Sequence, residues 1–246
     1  MFNLFFQVSL GSIFGLVGGL LFLFNKKLSK ILEKNAISFA AGVLLTVSFL
    51  GLLPESVELI GQQAYLFVLA SFFVVFIFEK IIFEIHHHEE NNHGHSHLQP
   101  ANIWLVIIGD TVHNLIDGIS IGASFLVSPA FGFVTAFSSF LHEVPHEVGD
   151  FGILLKAKWK KSNIVWANLI SALATYVGAF SVYFFTTNDF IIGTSLSISA
   201  GIFLYLGAID FLPQVVEKED KKFQNMIPLF LGSAIMLAVF YLFPEH

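Results

Sequence analysis

Residues 113–118 read His-Asn-Leu-Ile-Asp-Gly, and residues 142–150 read His-Glu-Val-Pro-His-Glu-Val-Gly-Asp. Both lie inside apolar stretches, 102–127 and 130–155, long enough to cross a bilayer. An ionised side chain near the bilayer centre costs roughly 2.5–3.5 kcal/mol even on the mildest insertion scale. Left alone, Asp117, Glu143, Glu147 and Asp150 would together cost on the order of 10 kcal/mol. Such a cost persists only where something cationic neutralises it. Imidazoles mixed with carboxylates select a divalent first-row metal, so the two motifs predict an intramembrane metal site.

Working outward, the whole chain has the composition of a lipid-embedded protein. Of 246 residues, 55% are hydrophobic and 12% charged, with a mean hydropathy of +0.77; soluble domains carry about 25% charged residues. Apolar stretches recur at about 4–24, 35–53, 64–85, 102–127, 130–155, 164–185, 190–212 and 226–243. These predict an all-α polytopic membrane protein of eight transmembrane helices forming one transporter domain, 1–246, with membrane lipid as its surroundings. Met1 leads directly into an apolar run without a basic region, so the first stretch is read as a retained helix rather than a signal peptide. The absence of cysteine excludes thiolate ligands. A net charge of −6 argues against nucleic acid as a partner, and no Gly-rich phosphate loop is present.

The lysines set the predicted topology. Lys26, Lys27, Lys30 and Lys34 fall between the first two stretches, Lys80 at the end of the third, Lys156, Lys158, Lys160 and Lys161 between the fifth and sixth, and Lys218, Lys221 and Lys222 between the last two. All lie on one side, and the positive-inside rule makes that side cytoplasmic, with both termini extracytoplasmic. The plasma membrane (inner membrane of a cell) is the expected location. Residues 86–98, His-His-His-Glu-Glu-Asn-Asn-His-Gly-His-Ser-His-Leu, are read as a disordered cytoplasmic loop with weak affinity for metal.

An internal repeat is also present. Ala41-Gly42, Leu45, Leu53-Pro54 and Val57-Glu58 match Ala200-Gly201, Leu204, Leu212-Pro213 and Val216-Glu217, seven identities in twenty aligned positions. Five crossings separate the copies, so they run in opposite directions, as in the inverted repeats of secondary transporters. If stretches one to three mirror six to eight, a 3+2+3 arrangement, the fourth and fifth form a central pair. Those two carry the metal motifs.

Helical periodicity places His113 and Asp117 on one face, and His142, His146 and Asp150 on another, with Glu143 and Glu147 beside it. His113 precedes Ser128 by fifteen residues and His142 follows it by fourteen. At 1.5 Å per residue both lie roughly 21–23 Å from the connecting turn. The two motifs therefore meet at one depth. Pro145 is expected to free the carbonyl of Leu141. Gly118, Gly122 and Gly149 are expected to permit close helix approach. Glu55 is read as a solvated residue near an outer face, and Asp210 as a structural one. Asn114 is read either as a ligand or as an interhelical hydrogen-bonding group.

His142-Glu143-Val144-Pro145-His146 also matches the H-E-x-x-H pattern of zinc metalloproteases, in which the glutamate is the general base. Proline in that turn, and ligand-type groups beyond the three a catalytic site needs, disfavour an intramembrane protease.

With these motifs the chain resembles the ZIP family of zinc and iron transporters, in the branch whose fifth helix reads His-Glu-x-Pro-His-Glu-x-Gly-Asp. The Leu-Pro-Glu from Leu53 to Glu55 and the Asp-x-Leu-Pro from Asp210 to Pro213 also resemble that family's helices two and seven. The resemblance implies a 3+2+3 bundle, a homodimer, and movement of Zn²⁺ into the cytoplasm, with Fe²⁺, Mn²⁺ or Cd²⁺ as alternative substrates. It implies a primary site of His113, Asp117, His142 and His146, with Asn114 and Glu143 in an adjacent second site. Family members with two metals carry an acid on the sixth helix, where this chain has Asn168, Ser171 and Thr175. Glu147 and Asp150 are expected to guide the ion outward from the site toward the lysine-bearing side.

The topology is tested on single-cysteine variants, since the chain has no cysteine of its own. A cysteine beside Asp189 is expected to react with an impermeant thiol reagent applied from outside, and one beside Lys160 only after permeabilisation.

Overall fold

The computed structural model describes residues 1–87, 100–186, 188–217 and 222–244. Its elements are α1 (Phe2–Gly11), α2 (Leu16–Phe24), α3 (Lys26–Val47), α4 (Leu53–Ile60), α5 (Gln63–His87), α6 (Pro100–Val127), α7 (Pro129–Lys156), α8 (Lys161–Phe185), α9 (Asp189–Tyr205), α10 (Leu212–Glu217) and α11 (Lys222–Leu242). Among the described residues, seven helical stretches are long and apolar enough to cross a membrane. α7 has the length but is not among them, because it carries His142, Glu143, His146, Glu147 and Asp150. The His-rich tract, 86–98, lies almost wholly outside the described residues; 86 and 87 close α5.

The exterior is apolar and much of the interior is polar, as the bilayer requires. Phe185 is 84% exposed and Tyr241 86%, whereas Asp117, His142 and Glu143 are each 1% exposed. A core of Val43, Leu44, Leu52, Phe131, Leu196 and Phe203 fills the space where α3, α7 and α9 meet.

Where lipid offers the backbone no partners, helices start on side-chain caps. The Asn25 carboxamide oxygen accepts from the backbone N–H groups of Lys27 and Leu28 at 3.1 Å. Ser128 Oγ accepts from Phe131 N–H at 3.0 Å, and Pro129 stands at the first helical position. Ser128 is the sole residue between α6 and α7. The backbone carries α7 through Pro145 without interruption.

The repeat appears in the backbone itself. Between α3 and α4, and between α9 and α10, the helix widens into a π turn, Ser48–Leu52 and Leu206–Phe211. Leu53 N–H donates to the Ser48 carbonyl, and Leu212 N–H to that of Gly207. These pairs are offset by the same 159 positions as the sequence repeat. Each is followed by a Leu-Pro pair, Leu53-Pro54 or Leu212-Pro213, whose proline has no N–H and crowds the carbonyl four residues back. One extra residue in the preceding turn relieves that crowding. Helix neighbours obey the same relation. α11 packs on α3 as α5 packs on α9, α1 and α2 on α7 as α8 on α6, and α3 on α7 as α9 on α6.

Several expectations change. The first apolar stretch is not one helix: residues 12–15 break it between α1 and α2. The second and seventh run past their predicted ends, through the π turns to Ile60 and Glu217. Glu55, in the first turn of α4, is buried at 8% exposure and not solvated. Gly149 has open space around it instead of a close neighbour.

Gly118 and Gly122 do permit close approach. A Cβ on Gly118 would strike the Thr175 carbonyl of α8, and one on Gly122 would lie 2.6 Å from the Ala179 carbonyl oxygen. Gly178 returns the contact against the Leu115 carbonyl. Gly118→Leu is therefore expected to destabilise the bundle by about 1–3 kcal/mol, read as a lower midpoint in detergent thermal melting. Gly149→Ala should leave that midpoint unchanged or raised.

Candidate metal centre

The one-residue turn at Ser128 makes α6 and α7 antiparallel, and their polar residues face each other in register. His142 Nε2 lies 3.1 Å from Asp117 Oδ2 and 3.2 Å from His113 Nε2. His113 Nε2 lies 3.6 Å from Glu143 Oε2 and 4.0 Å from Asp117 Oδ1. These four residues form one cluster of converging ligand atoms, every member buried.

His142 Nδ1 meets the Ser138 carbonyl at 2.9 Å. A carbonyl only accepts, so Nδ1 carries a proton, and in the neutral ring Nε2 is then the nitrogen that offers a lone pair to the cluster. Asp117 Oδ1 and Glu143 Oε2 are buried without a hydrogen-bond donor. Ligands at 2.0–2.2 Å around a tetrahedral ion stand roughly 3.3–3.6 Å apart, and the separations here, 3.1–4.0 Å, bracket that range. Phe203 from α9 closes the site, its ring 5.4 Å from that of His142 and 6.5 Å from that of His113.

Asn114 has a different place from the other predicted residues. Its Nδ2 donates to Asp110 Oδ1 at 3.0 Å and to Glu143 Oε1 at 3.3 Å, and its Oδ1 accepts from Thr175 Oγ1 at 2.9 Å. It ties two carboxylates together and is itself tied to α8. Ser171 Oγ bonds Thr111 Oγ1 at 3.1 Å, so the polar face of α8 orients α6. On the other flank, the break between α1 and α2 sets Gly15 against Glu143, where a Cβ would lie 2.5 Å from Glu143 Cγ. Gly18 and Gly19 likewise face Val144 and Phe151.

His146 is set apart from the four-residue cluster. Its ring stacks on that of His113 with centroids 4.7 Å apart, but its Nδ1 turns toward Asp110 and Asp150. Glu147 is fully buried, with neither carboxylate oxygen hydrogen-bonded, and groups with Asp110 and Glu143. Asp110 is the residue the sequence motifs omit. It is 3% exposed and belongs to two of the three ligand groups. The signal was available: Asp110 stands one turn before His113 and Asn114, an acid in an apolar run.

A helical membrane protein with a buried mixed imidazole and carboxylate cluster between two antiparallel helices is the class that this fold and site define. The model of the ZIP zinc transporter family matches residues 1–103 and 93–239. The chain is 32% identical over 166 residues to the zinc transporter foi of Drosophila melanogaster, covering 62% of this chain and 23% of that protein. It is 36% identical over 186 residues to human zinc transporter ZIP10, covering 63% and 21%. With zinc transporter ZIP13 of Pongo abelii it shares 31% identity over 231 residues, covering 86% and 68%. The chain thus spans less than a quarter of the first two relatives. It belongs to the ZIP family.

Thr175→Val removes the hydrogen bond that anchors Asn114. The loss is expected to cost about 1 kcal/mol, or roughly fivefold in zinc affinity, measured by titration calorimetry on the purified chain.

Proposed function

We propose that the chain transports divalent metal ions, with Zn²⁺ as the principal substrate, along the seam between α6 and α7. All eight helical rods cross the membrane, α7 included. Both termini face away from the cytoplasm, and uptake runs toward the lysine-bearing side of a plasma membrane. The observation that carries this reading is the convergence of His113, Asp117, His142 and Glu143, with Asp117 Oδ1 and Glu143 Oε2 buried and without a donor. A dehydrated divalent cation is the partner that such a set of acceptors fits.

His113, Asp117, His142 and Glu143 hold the ion in this reading. Asn114 spaces the carboxylates, while His146, Glu147 and Asp150 continue the path toward Lys156. Imidazole nitrogen favours Zn²⁺, while the oxygens admit Fe²⁺, Mn²⁺ and Cd²⁺ as lesser substrates. The relatives named above as zinc transporters support the choice. The dimer implied by the family resemblance belongs to the same proposal.

The protease reading fits less well. A zincin needs both histidines of H-E-x-x-H on one ion, with the glutamate free as base. Here His142 converges with Glu143 itself, while His146 Nδ1 turns to a different pair of acids.

Radiozinc uptake into proteoliposomes tests the proposal. The wild-type chain is expected to show saturable uptake. His142→Ala should lower uptake at sub-saturating zinc by at least about tenfold, the lower bound for disturbing a metal ligand's support alone. A wild-type chain inert toward zinc, yet cleaving a membrane-embedded peptide, would overturn transport in favour of the protease.

A further inference from the structure

The faces that carry the ligands continue past the central cluster toward the turn at Ser128. On α6, His113 and Asp117 are followed on the same face by Ser120 and Ser124; on α7, His142 is preceded by Ser139, Ser138 and Thr135. These five hydroxyl residues are each 0% exposed. Two contacts fix the register. Asp117 Oδ2 lies 3.1 Å from His142 Nε2, and Ser124 Oγ accepts from Thr135 Oγ1 at 2.9 Å. Between these contacts each helix advances seven residues. Ser120 and Ser139 each stand three residues from the first contact and four from the second, so they form the rung between, about 4–5 Å along the axis from the cluster.

A serine inside an apolar helix ordinarily donates its hydroxyl to the carbonyl one turn back. Ser12, Ser48 and Ser197 do so at 2.7 Å. Ser120, Ser138 and Ser139 do not: each Oγ is buried with no hydrogen-bond partner. The Ser139 side chain is turned to the Asp117 carboxylate, whose Oδ1 is likewise unpartnered. Asp117 Oδ1 and the Ser120 and Ser139 hydroxyls offer the two to four polar partners that a buried water requires. Near the turn, Gln7 Nε2 donates to the Pro129 carbonyl at 2.8 Å, and its Oε1 is a further buried acceptor without a donor. Polar atoms thus continue from the cluster to the turn.

We propose that the seam between Asp117 and Ser128 is a water-binding track along which the ion reaches the cluster still partly hydrated, with Ser120 and Ser139 holding that water. The proposal rests on the transport reading of the central cluster. The chemistry of the track differs from that of the cluster. Its hydroxyls are neutral and both donate and accept, so they stand in for hydration water without holding the ion as imidazole and carboxylate do, and conduction requires such weak sites. They therefore set the rate of arrival and not the affinity. Every hydroxyl in the track is shut from solvent in this structure, so the track opens only in the alternate access state of the transport cycle.

The chain has no cysteine, so Ser120→Cys and Ser139→Cys report directly whether water enters the track. In proteoliposomes supplied with zinc, both are expected to react with a small water-soluble methanethiosulfonate reagent, read as a mass shift of the full chain, and saturating zinc should slow the reaction. Ser197→Cys, at a serine just as buried but bonded to the Gly193 carbonyl, should stay unlabelled. Ser120→Ala and Ser139→Ala, checked for folding by thermal melting, should lower the maximal radiozinc uptake rate by about fivefold, the rate equivalent of one lost hydrogen bond. Their zinc affinity by titration calorimetry should be unchanged. If a cysteine variant does not fold, its alanine counterpart decides. Ser120→Cys and Ser139→Cys no more reactive than Ser197→Cys, alanine variants running at the wild-type rate, or a loss of affinity as large as the loss of rate, would overturn the proposal. Labelling of both cysteine variants where the wild-type chain moves no zinc would overturn the transport reading and leave the water-binding track standing.

Discussion

The structure depends on the register of α6 against α7. Buried imidazoles and carboxylates face one another across that seam, several of their acceptor atoms without a donor, an arrangement that cannot tolerate a slip. One residue of slip along either helix would rotate its face by about 100° and shift it by 1.5 Å, scattering the rungs that now meet. The register is set by the shortest of connections, Ser128, whose hydroxyl caps α7 while Pro129 starts it. Glycines then clamp it from both sides: Gly118, Gly122 and Gly178 hold α6 to α8, and Gly15, Gly18 and Gly19 hold the broken first rod to α7.

The frame is symmetric but the site is not. The two π turns, the two Leu-Pro pairs and the paired helix contacts all obey one pseudo-two-fold relation. The flanks of the central pair are related by it too, yet they meet α6 and α7 with different chemistry. α8 brings Thr175 and Ser171, which orient Asn114 and Thr111 by hydrogen bonds. The α1–α2 rod brings glycine and a broken helix, and the Glu143 side chain occupies the space left where a Cβ would stand. Within a repeated scaffold, one flank is thus a positioning surface and the other a close-fitting wall.

Much of this was legible in the sequence because membranes simplify the reading. A histidine or acid in an apolar run has few explanations, so the motifs at 113–118 and 142–150 were found at once. Counting residues from Ser128 placed them at one depth, and the His113–His142 contact has that basis. Asp110 was missed because the spacing was read outward from His113 toward Asp117 and not back by one turn. The π turns were missed for a different reason. Proline locates the carbonyl it displaces, but whether the helix kinks, loses a bond or gains a residue depends on packing around it. The break at residues 12–15 likewise packs on a neighbour more than a hundred residues away, Gly15 against Glu143, and the burial of Glu55 is a tertiary property. Neither leaves a local mark.

The hydrogen bonds divide the polar seam into residues that position and residues that wait. Asn114 spends its amide on Asp110, Glu143 and Thr175, and His142 spends Nδ1 on a carbonyl. Both Glu147 oxygens, Asp150 Oδ2 and His146 Nδ1 have no hydrogen-bond partner. A structural network would satisfy all of its members, since a buried unpaired polar group costs about 1–3 kcal/mol. A catalytic metal site would satisfy all but one coordination position. Imidazoles and carboxylates along one seam, organised by hydrogen bonds at one end and partly unsatisfied along the rest, suit neither role. On the transport reading proposed above they suit an ion that must move on, because a fully satisfied set would hold it.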